Sequence, residues 1–119
     1  MSAKIDVRQS MGVSILDVSG RITLGESSNL LRLTVKDLVA QQQRNIVLNL
    51  SDVSYIDSGG LGEIVGSYAT VANAGGRLKL LNPQKRVDDL LQVTKLLTVF
   101  EIYTDEAAAV RSFQQAASA

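Results

Sequence analysis

Histidine and cysteine are both absent from this 119-residue chain. Without cysteine there is no disulfide, no thiolate nucleophile and no sulfur ligand for a metal. Without histidine there is no imidazole base and no histidine-based metal site. Tryptophan is missing too, and aromatic residues make up only 4%. With 45% hydrophobic residues, the core must be built mostly from Leu, Val, Ile and Ala. Neither charge sign is in excess, since 12 Lys and Arg face 12 Asp and Glu, for a formal net charge of +0. Nucleic-acid-binding domains usually carry a basic excess or stripe, so direct nucleic-acid binding is not expected. The cations are scattered singly apart from Lys85-Arg86, which reads as part of a solvated helix face. The opening "MSAKIDVRQS" has no apolar signal core, and no apolar run approaches the roughly 18 residues of a membrane span. The expectation is one cytoplasmic domain over residues 1–119, not inserted in a membrane, with no metal and no cofactor.

What is present is a regular change of period along the chain. "KIDVRQ" sets Ile5 and Val7 against Asp6 and Arg8, the alternation of a half-buried strand. "GVSILDVSG" repeats it over 12–20, and Met11-Gly12 between the two runs predicts a hairpin. Residues 26–43 switch to helical spacing through Leu31, Val35, Leu38 and Val39, with Ser27 or Ser28 as the expected cap. "NIVLNL" (45–50) is almost wholly apolar, as suits a strand covered on both faces. A second helix is predicted after it, with Leu61, Ile64, Val65, Tyr68 and Ala72 on one face and Gly75-Gly76 at its end. Then come a strand at 77–81, a turn at Asn82-Pro83, a helix over about 84–94 and a strand at 100–103. A last helix is expected to be capped by Thr104, with Asp105 and Glu106 in its first turn. Strands alternating with helices predict parallel pairing through crossovers. The fold class expected is α/β: a small mixed, mostly parallel sheet with helices packed mainly on one face.

The stretch "YIDSGGLG" (55–62) falls where a strand meets a helix N-terminus. Four readings are open. Asp57 or Ser58 caps the helix while Gly59 and Gly60 allow a tight turn, which is the reading that spacing alone supports best. A phosphate cradle would suit free helix amides, but the stretch has neither the Lys-Ser/Thr pair of a P-loop nor G-x-G-x-x-G spacing. A serine nucleophile needs a base and an orienting group; there is no histidine, and nothing in the spacing brings Lys36, Lys79, Lys85 or Lys95 to Ser58. In the fourth reading Ser58 is itself the substrate. A phosphate there adds about −1.5 to −2 charges beside Asp57. A partner burying that corner would have to desolvate those charges, and about 1.4 kcal/mol already changes affinity tenfold. Gly62 and Gly66, spaced G-x-x-x-G, read first as close packing against a neighbouring element and second as an exposed small-residue stripe open to a partner.

The run "NIVLNLSDVSYIDSGGLGEIVGSYATVANAGGRLKLLN" resembles the core of the STAS domain family, and specifically the bacterial anti-sigma factor antagonists. The flanking "VSILDVSGRIT" and "LLTVFEIYTDEAAAVRSF" extend the resemblance over about residues 5–113. The resemblance implies a non-catalytic partner switch. The unphosphorylated protein binds an anti-sigma factor that is itself a serine protein kinase, which frees the sigma factor. That kinase phosphorylates the motif serine, and a serine phosphatase reverses it. Carried over, the phosphoacceptor is Ser58, and the partner contact comprises Asp57, Ser58, Gly59, Gly60 and Leu61. Many antagonists have a second Ser where this chain has Gly59. Many also have an acid in a G-x-L-D pattern after the second strand, where this chain reads Gly20-Arg21-Ile22-Thr23, so Thr23 takes the acid's place at the partner surface. Other stand-alone STAS proteins that look like this one imply a rival role, a non-catalytic subunit bound to the ATPase of a phospholipid-transport ABC system.

Overall fold

The strands lie side by side in their chain order, β1 (Ala3–Ser10), β2 (Val13–Ile22), β3 (Asn45–Ile56), β4 (Arg77–Leu81) and β5 (Ile102–Tyr103). The helices are α1 (Glu26–Ala40), α2 (Ser58–Asn73), α3 (Lys85–Val93) and α4 (Glu106–Ser118), with a short 3₁₀ turn at Leu96–Thr98. The computed structural model describes the backbone of residues 3–118 and the side chains of residues 3–114. β1 and β2 pair antiparallel across Met11 and Gly12, whose φ angles are 52° and 80°. Positive φ at both turn residues matches the twist of the strands they join. Every other pairing is parallel, so the sheet is mixed and mostly parallel, as expected.

Three helices cover one face and one covers the other. Leu16, Val18, Ile46 and Leu48 point to the side where α1 contributes Leu31 and Val35, α2 Ile64 and Val71, and α3 Val87 and Leu91. Val13, Ile15, Val47 and Leu81 point to the opposite side, against Ala109, Val110 and Phe113 of α4. β3 therefore alternates between two cores, with Ile46, Val47 and Leu48 all fully buried. That is why its sequence is apolar without alternation. Each such side chain contributes about 1.5–3 kcal/mol by leaving water.

Several local expectations need correction. β3 runs six residues beyond Leu50, because two irregularities against β2, between Asp17 and Ser19 and between Gly20 and Arg21, let it continue through "SDVSYI". The Asn49 side chain supports the first bend: its Nδ2 donates to Asp17, and its Oδ1 accepts from the Ser51 amide and hydroxyl. The α1 cap is Gly25, not Ser27 or Ser28, which lie buried inside the first turn. The α4 cap is Asp105, whose carboxylate accepts from the Ala108 amide, rather than Thr104. On α2, Leu61 and Ile64 are buried and Val65 and Tyr68 pack half-buried against the core, as expected. Ala72, however, is exposed, and Ser67 and Val71 are buried in addition, the Ser67 hydroxyl with no hydrogen-bond partner among the described residues. Gly62 and Gly66 are exposed with no element packed on them, so the close-packing reading fails and the open stripe stands.

Two polar clusters tie α4 to the sheet. The Arg8 guanidinium donates to Asp17 at 2.6 Å and to Glu106 at 2.5 Å, clamping the hairpin to the first turn of α4. Arg8 holds both carboxyls below their usual range. On β4, Lys79 is 2% exposed. Its Nζ donates to Ser112 Oγ at 2.8 Å, lies 3.3 Å from Glu101 and sits 4.5 Å from the Phe113 ring centre. The ammonium is satisfied, while its four-carbon stem fills core volume. Lys79→Ala is expected to cost about 2–4 kcal/mol in urea unfolding, because it leaves a cavity. Lys79→Met, which keeps the stem, is expected to stay within about 1.5 kcal/mol of the parent.

Candidate functional site

The parallel ends of β2 and β3 deliver two loops to one corner. Residues 23–25 lead from β2 into α1, and Asp57 leads from β3 into α2. The Asp57 amide donates to the Ile22 carbonyl at 3.3 Å, extending the sheet by one bond. With φ −92° and ψ −178°, Asp57 is the extended N-cap of α2, and its Oδ1 accepts from the Gly60 amide at 2.7 Å. Both carboxylate oxygens also accept from the Leu24 amide, each at 3.1 Å. One carboxylate thus caps a helix and fastens the neighbouring loop. These amides, Gly60 first and Leu24 second, hold the Asp57 carboxyl below its usual range.

From the other side, the loop is held by two buried serines. Ser27 Oγ accepts from the Thr23 amide at 2.8 Å and donates to the Thr23 carbonyl at 3.0 Å. Ser28 Oγ does the same for Gly25, at 3.1 Å in both directions. Ser27 and Ser28 were read from the sequence as alternative caps; both act, and they act backward on the loop. The motif glycines are here for space. A methyl carbon on Gly60 would sit 2.7 Å from the Ile22 carbonyl carbon and closer still to its oxygen. One on Gly59 would sit 2.5 Å from Leu24 Cβ.

Ser58, the first residue of α2, is exposed on this corner, and its hydroxyl makes no hydrogen bond to the described residues. Thr23, Asp57 and Gly59 are half-buried around it, while Gly60 and Leu61 are buried beneath. The structure thus brings all six of the expected residues together. It adds Leu24, 78% exposed beside Gly59. A leucine directly before the loop glycine, with no helical or strand period to absorb it, was the signal in the sequence. Beside Ser58, a groove of about 600 Å³ runs between α2 and α3, walled by Tyr55, Leu61, Leu90 and Val93, with Arg86 as its cation. Among the described residues no cluster of acidic side chains could hold a metal ion, and no helix is long and apolar enough to cross a membrane. Among the described residues no side chain hydrogen-bonds the Ser58 hydroxyl, so the corner offers an unengaged oxygen on a shaped surface.

This fold and corner define a STAS domain: residues 4–109 match the STAS domain family model, and the chain belongs to that family. Its relatives carry a more particular title. The chain is 35% identical over 102 residues to the anti-sigma-B factor antagonist of Bacillus subtilis, covering 86% of this chain and 92% of that one. It is 28% identical over 115 residues to the anti-sigma F factor antagonist of Paenibacillus polymyxa, covering 96% and 97%. The fold is also that of the anti-sigma factor antagonist SpoIIAA in its unphosphorylated form, with a TM-score of 0.80 at 19% identity, covering 94% and 97% of the two chains.

Two outcomes test the geometry. Gly60→Ala is expected to lose about 2–4 kcal/mol in urea unfolding, since backbone must move to admit the methyl group. Because the Asp57 carboxyl is depressed in the folded state, it stabilises the fold above its unfolded value and loses that contribution as pH falls through its folded value. Asp57→Asn is therefore expected to be less stable than the parent at neutral pH. Its urea midpoint should also fall less steeply between about pH 6 and pH 3 than the parent's.

Proposed function

We propose that this chain is an anti-sigma factor antagonist that works as a partner switch at Ser58. The observation that carries the reading is an exposed, unbonded serine hydroxyl on a corner whose backbone is fixed from both sides. In its unphosphorylated form the protein binds an anti-sigma factor that is also a serine protein kinase, and the sigma factor is released. The contact uses Thr23, Asp57, Ser58 and Gly59, with Gly60 and Leu61 as the floor that sets their height. The exposed stripe of Gly62 and Gly66 continues from Ser58 along α2 and lets a partner approach the helix backbone. The site of action is the cytoplasm.

The kinase supplies the chemistry. The Ser58 oxygen attacks the γ-phosphorus of ATP, the bond to the β-phosphate oxygen breaks, ADP leaves and the hydroxyl proton passes to the kinase or to water. The product carries about two more negative charges beside a carboxylate that is already ionised. The α2 N-terminus favours an anion, so the fold accommodates the phosphate. A partner surface seated on the corner must strip water from phosphate and carboxylate together, and it dissociates. A serine phosphatase restores the binding form. The existence of SpoIIAA structures in both unphosphorylated and phosphorylated forms on this same fold supports the reading that the scaffold tolerates the modification.

Isothermal titration against a cognate anti-sigma kinase tests this. Ser58→Ala is expected to bind in the presence of ATP without being released. Ser58→Glu is expected to weaken binding at least tenfold with an unchanged far-UV spectrum. Equal behaviour of the two variants would sink the proposal. Purification from cells with the ATPase of a phospholipid-transport ABC system, in place of a small kinase, would transfer the protein to the rival role of a transport subunit.

A further inference from the structure

The two edges of the sheet are unequal. β5 ends one side after two residues. β1 ends the other with eight, and its pairing with β2 is unbroken from Ala3 to Ser10. It contains no proline and no bulge, and among the described residues no element pairs with its outer side. Long regular edges of this kind are usually blunted, because they offer a ready row of amide and carbonyl groups, and here the blunting is left to the exposed charges of Lys4, Asp6 and Arg8.

The hairpin geometry says which groups those are. In a two-residue turn of this type, the flanking pair Ser10 and Val13 exchanges both backbone hydrogen bonds. Bonded and non-bonded pairs alternate along an antiparallel ladder. Arg8, Asp6 and Lys4 therefore spend their backbone groups on β2. Gln9, Val7, Ile5 and Ala3 direct theirs outward.

We infer that β1 pairs antiparallel with β1 of a second copy of this chain, about a two-fold axis at Val7, joining two sheets into one. In that register Val7 meets Val7 of the second copy and Ile5 meets Gln9, in three pairs that use the outward backbone groups. Asp6 then falls opposite Arg8 of the second copy, twice, in non-bonded pairs where side chains lie closest. Neighbouring registers fail on charge: centring on Asp6 sets Asp6 against itself, and centring on Arg8 sets Arg8 against itself. Centring on Ile5 leaves a shorter ladder. The side chains are available for this. The Asp6 side chain is 67% exposed, and its one ion pair among the described residues is with Lys4, at 3.6 Å. Arg8 uses four of its five N–H groups on Asp17 and Glu106, leaving one on Nη1. On the α1 side, Ile5 and Val7 of both copies would form one apolar strip, covering a Val7 that is 44% exposed in the single chain. The contact includes none of Thr23, Leu24 or residues 57–61, so this inference stands apart from the role of Ser58.

Seven residues a side is well below the about 20–30 of a standard interface, so the dimer is weak and reversible. Sedimentation velocity from about 1 µM to 1 mM, the range in which such a contact would assemble, should show the mass doubling. Asp6→Lys, which places like charges opposite each other, is expected to raise the dissociation constant at least tenfold. Because the chain has no cysteine, single thiols report the register under mild oxidation. Val7→Cys is expected to cross-link with itself. Ile5→Cys and Gln9→Cys are each expected to remain uncrosslinked alone and to cross-link when mixed. A monomer throughout that range would overturn the inference. So would a dimer indifferent to Asp6→Lys, or self-cross-linking of Ile5→Cys as efficient as that of Val7→Cys.

Discussion

The Asp57 carboxylate is the constraint on which the functional corner depends. Two loops that are far apart in sequence arrive at the ends of adjacent parallel strands, and each brings an unpaired amide. Asp57 accepts from both, Gly60 on its own helix and Leu24 on the neighbouring loop. An asparagine oxygen could accept both bonds, but only a carboxylate makes both of them charge-assisted. Parallel strands offer no shared turn to fix their ends relative to each other, and this side chain supplies the missing tie. The buried hydroxyls of Ser27 and Ser28 complete it from the α1 side.

Where the corner lies in the fold follows from the same topology. In an open parallel sheet, functional sites gather outside the carboxyl ends of the strands, and Thr23 and Ser58 sit at the ends of β2 and β3. The rigid part is the backbone, and the variable part is one hydroxyl. That division suits a regulator whose output is binding. In the proposed switch, modification of Ser58 changes the charge at the corner while the cores on both sheet faces, set by Leu, Ile and Val contacts, lie away from it.

Much of this architecture was legible in the sequence, for identifiable reasons. The apolar run at 45–50 announced a doubly covered strand because Ile46, Val47 and Leu48 are successive and apolar, so neighbouring side chains on opposite faces both need cover. The fold class and the helix side preference followed from alternation of period. The family motif assembled six residues that the fold does bring together. Several of the errors fell where hydrogen bonding outranks hydrophobic period. The end of β3 could not be read because its first bend is stabilised by the Asn49 side chain rather than by apolar spacing. Ser27 and Ser28 looked like caps because a serine near a helix start usually is one. The burial of Lys79 could not be read from its strand, since its ammonium depends on Ser112 and Phe113, more than thirty residues away. Leu24 escaped notice because one half of its role, the amide that Asp57 holds, is independent of its side chain, and the exposed leucine itself was the signal passed over.

The two irregularities in β3 have a consequence for how the chain tolerates change in length. From Asp17 to Arg21 β2 advances four residues, while from Asn49 to Tyr55 β3 advances six. Those extra residues act as a phase setter, since each one reverses the side to which every later side chain points. Two reversals cancel, so Ile56 faces the core again and Asp57 arrives pointing at Leu24. A single-residue deletion between Ser51 and Ser54 would leave the motif's letters intact but turn its acidic residue away from the loop it fastens. Conservation of spacing, rather than of composition, is thus the requirement on that segment.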